Sequence, residues 1–187
     1  GGVVIVANDG VRWRRISESL SVLDFGARPD GVTDNTGFFQ SALNYGGVIN
    51  VPEGVYKISN QIKFTKDGSK LTGSRASKLH VGGNLSDGSV AINVAANKTK
   101  IEGLSFVADN RVTIIGSRPE DRDYEDLSVI DCGFERHFYA VRIGRVNSDR
   151  HFRKILISGN DSTAHSTGNA SHFVCSDASH ITYSNNK

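Results

Sequence analysis

The sequence predicts an all-β solenoid: a right-handed, single-stranded parallel β-helix that begins with a short capping helix and is preceded by a β-hairpin neck. Two observations support this prediction. Short strands with alternating apolar residues recur at a long and nearly constant spacing in the second half of the chain. The 20 glycines and three prolines, with many Asn, Ser and Asp residues, indicate a turn-rich β architecture rather than a helical bundle.

A hairpin is the first predicted element, in residues 3–16. Two β-rich runs flank Asn8-Asp9-Gly10, and Asn and Gly tolerate the positive φ angles of tight hairpin turns. The second run contains Trp13 among arginines, which fits a packed ring beside a solvated face better than a ligand site. We therefore divide the chain into a neck hairpin, residues 1–20, and the N-terminal part of a β-helix domain, residues 21–187.

A short amphipathic helix is predicted at residues 35–45, where apolar residues recur at helical spacing. Thr33 or Asp34 can cap its N-terminus by accepting backbone N–H bonds, and Gly46-Gly47 ends it. A helix this short cannot bury both faces alone. We expect it to cover the open end of the solenoid, where apolar side chains and strand edges would otherwise face water.

The repeats begin after residue 100, and each contains two apolar positions separated by one residue. They are Leu104-Ser105-Phe106, Leu127-Ser128-Val129, Ile155-Leu156-Ile157 and Ile181-Thr182-Tyr183, and their first members lie 23, 28 and 26 residues apart. One coil has too little apolar surface to fold alone, whereas stacked coils bury a continuous apolar column.

Two further features recur within each coil. The fifth position after each repeat start is Asp109, Cys132, Asn160 or Asn186. The two asparagines fit a stack in a tight turn, where side-chain amides hydrogen-bond between successive coils. A second apolar run follows in each coil, at Val112 and Ile114, at Val141 and Ile143, and at Phe173 and Cys175.

One segment resembles the opening of the pectate-lyase-like superfamily over about 40 residues. The matching motifs are Phe25-Gly26-Ala27, Asp30-Gly31, Asp34-Asn35-Thr36 and Pro52-Glu53-Gly54-Val55-Tyr56. The preceding run Asn8-Asp9-Gly10-Val11-Arg12-Trp13-Arg14-Arg15-Ile16 is similar to the neck that precedes the β-helix in bacteriophage tailspikes and tail fibres. We therefore identify the chain as resembling the N-terminal part of a phage tailspike or tail fibre.

The resemblance implies a homotrimeric protein of the virion tail that contacts other tail or baseplate proteins. Such proteins bind a bacterial surface polysaccharide, namely capsule, lipopolysaccharide or exopolysaccharide, during host adsorption, and most also cleave it as hydrolases or lyases. The opening motif is structural in the superfamily, so we assign no chemistry to Asp30 or Asp34. Two alternatives stay open: a non-catalytic glycan-binding or structural tail-fibre module, and a secreted pectate lyase, which the arginine-rich neck disfavours.

Hydrolysis of a glycosidic bond needs two carboxyl groups on either side of it, roughly 5–9.5 Å apart. Adjacent coils of a β-helix lie about 4.8 Å apart, so carboxylates on neighbouring coils can meet this requirement. The candidate catalytic residues in the repeats are Asp131, Glu135, Asp161 and Asp177. The alternative for each of them is a solvated surface carboxylate.

Elimination on a uronic acid instead needs a base and cations that neutralise the substrate carboxylate. Residues 136–154 contain six Arg or Lys residues against the single acid Asp149, and this surplus would attract an anionic chain. The candidate substrate-binding residues are His137, Tyr139, Arg142 and Arg145. Phe138 alternates with inward positions and is expected in the core, whereas Tyr139 is expected to be exposed. An exposed basic loop or a trimer contact would also explain this stretch.

Composition argues against several other classes of protein. The formal net charge of +2 gives no reason to expect nucleic acid as a partner. No apolar run is long enough for a membrane span, and no membrane partner is expected. Cys132 and Cys175 are too few for a disulfide framework or a zinc site, so we expect two reduced core residues and no cofactor or metal.

The two ends of the chain suggest a longer parent protein. The sequence starts with Gly1-Gly2, contains no methionine, and stops at Lys187 within the repeating pattern. We therefore expect a β-helix truncated at its C-terminus, in which the active site need not lie within these 187 residues.

Overall fold

The computed structural model describes residues 4–6, 12–14, 20–117, 122–144, 151–164, 171–176 and 178–187. Strands β1 (Val4–Val6) and β2 (Arg12–Arg14) form an antiparallel pair with Val4 opposite Arg14, as predicted for the neck. The turn at Asn8-Asp9-Gly10 lies outside the described residues.

The first coil contains strand β3 (Leu20–Ser21), a 3₁₀ helix (Val22–Phe25), strand β4 (Asp30–Asp34) and helix α1 (Thr36–Tyr45). Helix α1 confirms the predicted helix within one residue. The N-cap residue is Asn35, and the preceding Asp34 accepts a bond from Thr36 N through Oδ1 at 3.0 Å, so Asp34 satisfies the first N–H of the helix as expected. The buried face of α1 packs on the 3₁₀ helix and on the strand Ile62–Phe64, as expected of a cap on the first coils.

The remaining strands follow in coil order. They are β5 (Val48–Asn50), β6 (Gly54–Ile58), β7 (Ile62–Phe64), β8 (Lys70–Thr72), β9 (Ser77–Val81), β10 (Val90–Val94), β11 (Thr99–Glu102), β12 (Ser105–Ala108), β13 (Thr113–Ser117), β14 (Tyr124–Ile130), β15 (Gly133–His137), β16 (Tyr139–Ile143), β17 (Phe152–Ser158), β18 (Asp161–Ala164), β19 (Ser171–Cys175) and β20 (Ala178–Ser184).

These strands form three parallel sheets, because each pairs with strands one coil before and after it. Sheet I has the order β20-β17-β14-β11-β8-β5-β3, sheet II has β18-β15-β12-β9-β6-β4, and sheet III has β19-β16-β13-β10-β7. This topology confirms the predicted parallel β-helix. Among the described residues, no helix is long and apolar enough to cross a lipid bilayer.

The interior consists of columns of side chains that repeat from coil to coil. In sheet II, paired positions place Tyr56, Leu79, Phe106 and Phe134 in one column, and all four are buried. The rings of Phe106 and Phe134 stack with centroids 5.3 Å apart and an interplanar angle of 13°. Such columns bury the apolar surface that a single coil cannot bury alone.

From residue 103 onward, sheets I and II meet at a corner that each coil turns with one residue in the left-handed region. These corner residues are Gly103, Asp131, Gly159 and Asn185, with φ angles of 73°, 51°, 69° and 52°. The residue after each corner residue points inward. Asn160, which follows Gly159, stacks on Cys132, which follows Asp131 in the preceding coil. Asn160 Oδ1 accepts from Cys132 N at 2.8 Å, and Asn160 Nδ2 donates to Val129 O at 3.0 Å and to Asn186 Oδ1 at 2.9 Å. The predicted asparagine stack is therefore confirmed.

The predicted register is correct for the last three repeats and wrong for the first. Leu127 pairs with Ile155 and Ile155 with Ile181, as predicted. Leu104, however, follows the corner residue Gly103 and aligns with Cys132, since Gly103 N donates to Ile130 O. The partner of Leu127 in the preceding coil is Thr99.

The second apolar run shows the same pattern of agreement. Val141 pairs with Phe173 and Ile143 with Cys175, as predicted. In the preceding coil the partners of Val141 and Ile143 are Ile115 and Ser117, not Val112 and Ile114. Both cysteines are unpaired in the structure: Cys132 is buried, and Cys175 is half-buried against the core.

Candidate functional site

The outer face of sheet II contains exposed charged side chains in two neighbouring columns. One column runs Lys78, Ser105, Gly133, Asp161, and the next runs Lys57, His80, Val107, Glu135, Thr163. Glu135 and Asp161 lie on adjacent strands, two residues out of register, and both are exposed. Strand spacing and rise place their Cα atoms about 8 Å apart. Side chains that extend from these Cα positions on one face can place their carboxyl groups at the separation of roughly 5–9.5 Å that flanks a glycosidic bond.

Arg75 connects distant coils on this face. Its Nη2 lies 3.2 Å from Asp161 Oδ2 and donates to Gly159 O at 3.4 Å. Ser105 Oγ donates to the Arg75 carbonyl at 2.8 Å, which ties the base of the arginine to strand β12. The guanidinium passes over Gly133, where a Cβ atom would lie 2.5 Å from Arg75 Nη1.

A second charged group surrounds Asp109 at the edge of the same face. His80 Nε2 lies 2.7 Å from Asp109 Oδ1, and Arg136 Nη2 lies 3.7 Å from the same oxygen. His80 shares its column with Glu135, with Val107 between them. Sheet II thus presents two carboxylates on adjacent strands with cationic groups on either side.

His137 does not lie on this face, and its buried position argues against its predicted role as a substrate-binding residue. The pairing of β15 with β18 shifts register between Glu135 and His137, because Arg136 adopts a left-handed φ of 54°. The alternation of the strand is broken there, so Glu135 and Arg136 are both exposed and the His137 ring is fully buried. His137 Nε2 contacts Ser162 Oγ at 2.7 Å.

The buried His137 ring predicts a loss of stability in mild acid. Burial, reinforced by the nearby His172, lowers the pKa of His137 to about 4. The unfolded chain takes up this proton near pH 6.5, so the stabilisation is complete above that pH and is lost as the pH falls from about 6.5 to 4. We expect the unfolding free energy to fall by about 2 kcal/mol between pH 7.5 and 5, measured by urea titration. His137→Phe should remove most of this slope, and an unchanged slope would contradict the assignment.

Tyr139 and Arg142 lie on sheet III, away from Glu135 and Asp161. Arg142 aligns with Gly116 and Val174, and its guanidinium carbon sits 4.9 Å from the centre of the Tyr139 ring. Tyr139 is half-buried rather than exposed. Phe138, expected in the core, is also half-buried, and the guanidinium of Arg111 lies over its ring at 4.6 Å.

The other predicted site residues are placed as follows. Asp131 is exposed but occupies the corner between sheets I and II, where its carboxylate lies against Gly159. Asp177 and Arg145 lie outside the described residues. The structure therefore brings together Glu135 and Asp161 from the predicted set, and it places Tyr139 and Arg142 together on a different face.

A cavity of about 400 Å³ on the outer face of sheet I was not predicted. Its lining includes Asp126, Ser128, Lys154, Leu156, His180 and Thr182. Lys154 Nζ lies 3.7 Å from Asp126 Oδ1 and 3.9 Å from Glu125 Oε2. The surface is recessed where successive coils each place one residue in the left-handed region, at Lys98, Asp126, Lys154 and His180. Within the described ranges, no group of three or more His, Cys, Asp or Glu residues is arranged to hold a metal ion.

Arg75 and His80 were not among the predicted site residues. One signal for Arg75 was available, since an isolated glycine inside a strand often marks a close approach by another group. Gly133 is such a glycine, and the approaching group is the Arg75 guanidinium. Nothing in the sequence identified which side chain approaches it.

Comparison with known proteins assigns the chain to a family. A family model described as "Rhamnogalacturonase A/epimerase, pectate lyase-like" matches residues 19–186. The chain belongs to this family. The pre-neck appendage proteins of Bacillus phages phi29 and PZA are each 27% identical over 134 residues, which cover 60% of this chain and 16% of the relative. The chain thus spans about a sixth of the length of the curated relatives that it matches.

Two solved structures share the β-helix. Tailspike protein 2 from Escherichia coli O157:H7 bacteriophage CAB120 matches with a TM-score of 0.62 and 18% identity, over 87% of this chain and 25% of that chain. Pantoea stewartii WceF is described as a glycan biofilm modifying enzyme with a bacteriophage tailspike-like parallel β-helix fold. It matches with a TM-score of 0.61 and 18% identity, over 99% of this chain and 34% of that one. At these identities the likeness concerns the fold. Together with the phage relatives, it confirms the predicted resemblance to phage tail β-helices and supports a location on the virion tail.

Proposed function

We propose that this chain is part of a homotrimeric phage tail protein that recognises a bacterial surface polysaccharide during host adsorption and cleaves it at sheet II. It would sit on the outside of the virion tail and contact other tail or baseplate proteins. The phage relatives, and a structural relative described as a glycan-modifying enzyme, support the biological setting. The observation that most supports cleavage is the exposed pair Glu135 and Asp161 on adjacent strands of sheet II.

The two carboxyl groups have different surroundings, and this difference suggests their roles. Asp161 is paired with the Arg75 guanidinium, whereas the coil neighbours of Glu135 are the uncharged residues Val107 and Thr163. We assign Asp161 as the base and Glu135 as the acid of an inverting hydrolase. Asp161 takes a proton from water while the water oxygen bonds to the anomeric carbon. The glycosidic C–O bond breaks, and its oxygen takes the proton of Glu135.

The test measures digestion of capsule and lipopolysaccharide purified from the host strain by the intact parent protein. We expect new reducing ends without the absorbance at 232 nm that an unsaturated uronate gives. Glu135→Gln and Asp161→Asn should each lower the rate about 10²–10⁴-fold, the usual contribution of a positioned acid or base. Glu102→Gln is a matched control, because Glu102 is a surface carboxylate on sheet I paired with Lys100, and it should leave the rate unchanged.

Other outcomes would assign other roles. Binding without cleavage by the intact protein would indicate a glycan-binding or structural tail-fibre module. Absorbance at 232 nm would indicate a lyase, and the cationic residues of segment 136–154 would then become the candidates for binding the substrate carboxylate. Calcium-dependent cleavage of polygalacturonate would indicate a secreted pectate lyase, and full activity of both carboxamide variants would exclude sheet II as the cleavage site.

A further inference from the structure

We propose that Arg75 positions Asp161 for cleavage, and that the absence of a side chain at Gly133 allows Arg75 to reach Asp161. This inference rests on the proposed function, because it assigns a role within the same site. Its basis is a side chain that bridges residues 86 positions apart in the sequence.

The path of Arg75 across sheet II is fixed at three points. Ser105 Oγ on β12 bonds to its carbonyl, Gly133 on β15 lies beneath its guanidinium, and Asp161 on β18 accepts from its Nη2. From β12 to β18 the arginine crosses two strand spacings, or about 10 Å. A residue with a Cβ atom at position 133 would force the guanidinium aside, since that atom would lie 2.5 Å from Nη1.

Stability alone does not account for this arrangement. The side chains of Arg75 and Asp161 are 40% and 60% exposed, and exposed ion pairs of this kind contribute little to folding because solvent screens them. An extended arginine also loses rotamer freedom when it is held in one geometry. A glycine in a strand interior weakens the strand. The fold therefore gains little from a contact that constrains three strands.

The contacts of the Arg75 guanidinium instead fix the orientation of the Asp161 carboxylate. The guanidinium holds Oδ2 of Asp161 and bonds to the neighbouring carbonyl of Gly159, so the carboxylate is held against the corner of the coil. We assign the other oxygen, Oδ1, to the water that attacks the sugar. Without Arg75 the exposed carboxylate would sample several rotamers, and the fraction of complexes with a correctly placed base would fall.

The experiment separates this role from a structural one. Gly133→Ala keeps both charged partners and moves only the guanidinium, and the φ of Gly133 lies outside the left-handed region, so alanine fits the backbone. In the intact parent protein acting on the host polysaccharide, we expect Gly133→Ala and Arg75→Gln each to lower kcat about 10–100-fold. KM and the urea midpoint should change little, and Arg75→Lys should recover part of kcat. The double variant should be no slower than Arg75→Gln alone, since both act through one contact.

Ser128→Ala is the control, because Ser128 is a half-buried residue in the middle of β14 on sheet I and not on the sheet II face that the arginine crosses. An unchanged kcat in Gly133→Ala and Arg75→Gln, with Asp161→Asn inactive, would overturn the positioning role and leave the proposed function standing. A parallel loss of kcat and stability in both variants would also overturn it, in favour of a purely structural tie. An inactive wild-type protein, or a fully active Asp161→Asn variant, would reject the proposed site and this inference with it.

Discussion

Replacement of Phe106 by alanine is expected to lower the free energy of unfolding by about 3–5 kcal/mol. Phe106 is fully buried in the interior column of sheet II, between Leu79 of the preceding coil and Phe134 of the following one. Its ring stacks on Phe134 at 5.3 Å. The truncation removes this contact and leaves a cavity that neighbouring coils cannot fill, because each is held in register by its strands.

The position of Phe106 within the solenoid increases the expected effect. In a stack of coils, each repeat is stabilised mainly by its interfaces with the repeats on either side. A cavity at Phe106 weakens both interfaces of one central coil. Urea unfolding followed by circular dichroism would measure the change. Val107→Ala is the matched control, since Val107 is the next residue and points outward. Equal losses in the two variants would contradict the assigned orientation of β12.

Replacement of Asn160 by alanine is the second large expected effect, a loss of about 3 kcal/mol. The fully buried side chain of Asn160 accepts from Cys132 N and donates to Val129 O and Asn186 Oδ1. Alanine removes all three bonds, and it leaves the buried Cys132 amide without its acceptor. An unsatisfied buried backbone group costs about 1–3 kcal/mol by itself.

Two measurements would test this expectation for Asn160. Urea unfolding would give the total loss, and hydrogen exchange would show that the Cys132 amide exchanges faster than the amides of sheet I. Asn60→Ala is the control, because Asn60 is exposed and its side chain accepts one bond, from Asn84 at 3.2 Å. We expect Asn60→Ala to change stability by less than about 0.5 kcal/mol. A Cys132 amide that remains protected in Asn160→Ala would contradict the role of the stack.

Much of the fold was predictable because the patterns that specify it are local or strictly periodic. The hairpin, helix α1 and the alignment of Leu127, Ile155 and Ile181 follow from turn residues and apolar spacing. The first repeat was misaligned for a physical reason. Its true partner strand, β11, turns Thr99 inward, where the hydroxyl is buried and bonds to Ala96 O at 3.2 Å. A polar residue at an inward position interrupts the pattern of two apolar positions separated by one residue, so the strand is not recognised from that pattern.

The candidate site was only partly predictable. Alternation from the buried Phe134 is consistent with the exposed position of Glu135, but it does not reveal that Arg136 takes a left-handed conformation and turns His137 inward. Non-glycine residues rarely adopt this conformation, so the sequence contains no local sign of it. The contact of Arg75 with Asp161 depends on the register of several intervening strands. A small error in a predicted coil length is therefore enough for this contact to be missed.

The one-residue corner between sheets I and II has a consequence for how such a protein can diversify. Successive corner residues Gly103, Asp131, Gly159 and Asn185 are 28, 28 and 26 residues apart, yet the corner itself stays the same. Differences in coil length are therefore absorbed at the other two corners of each coil. Segments there can be lengthened, exchanged or replaced while the corner between sheets I and II keeps its geometry. The axial spacing of side chains along sheet II is inherited unchanged through such exchanges.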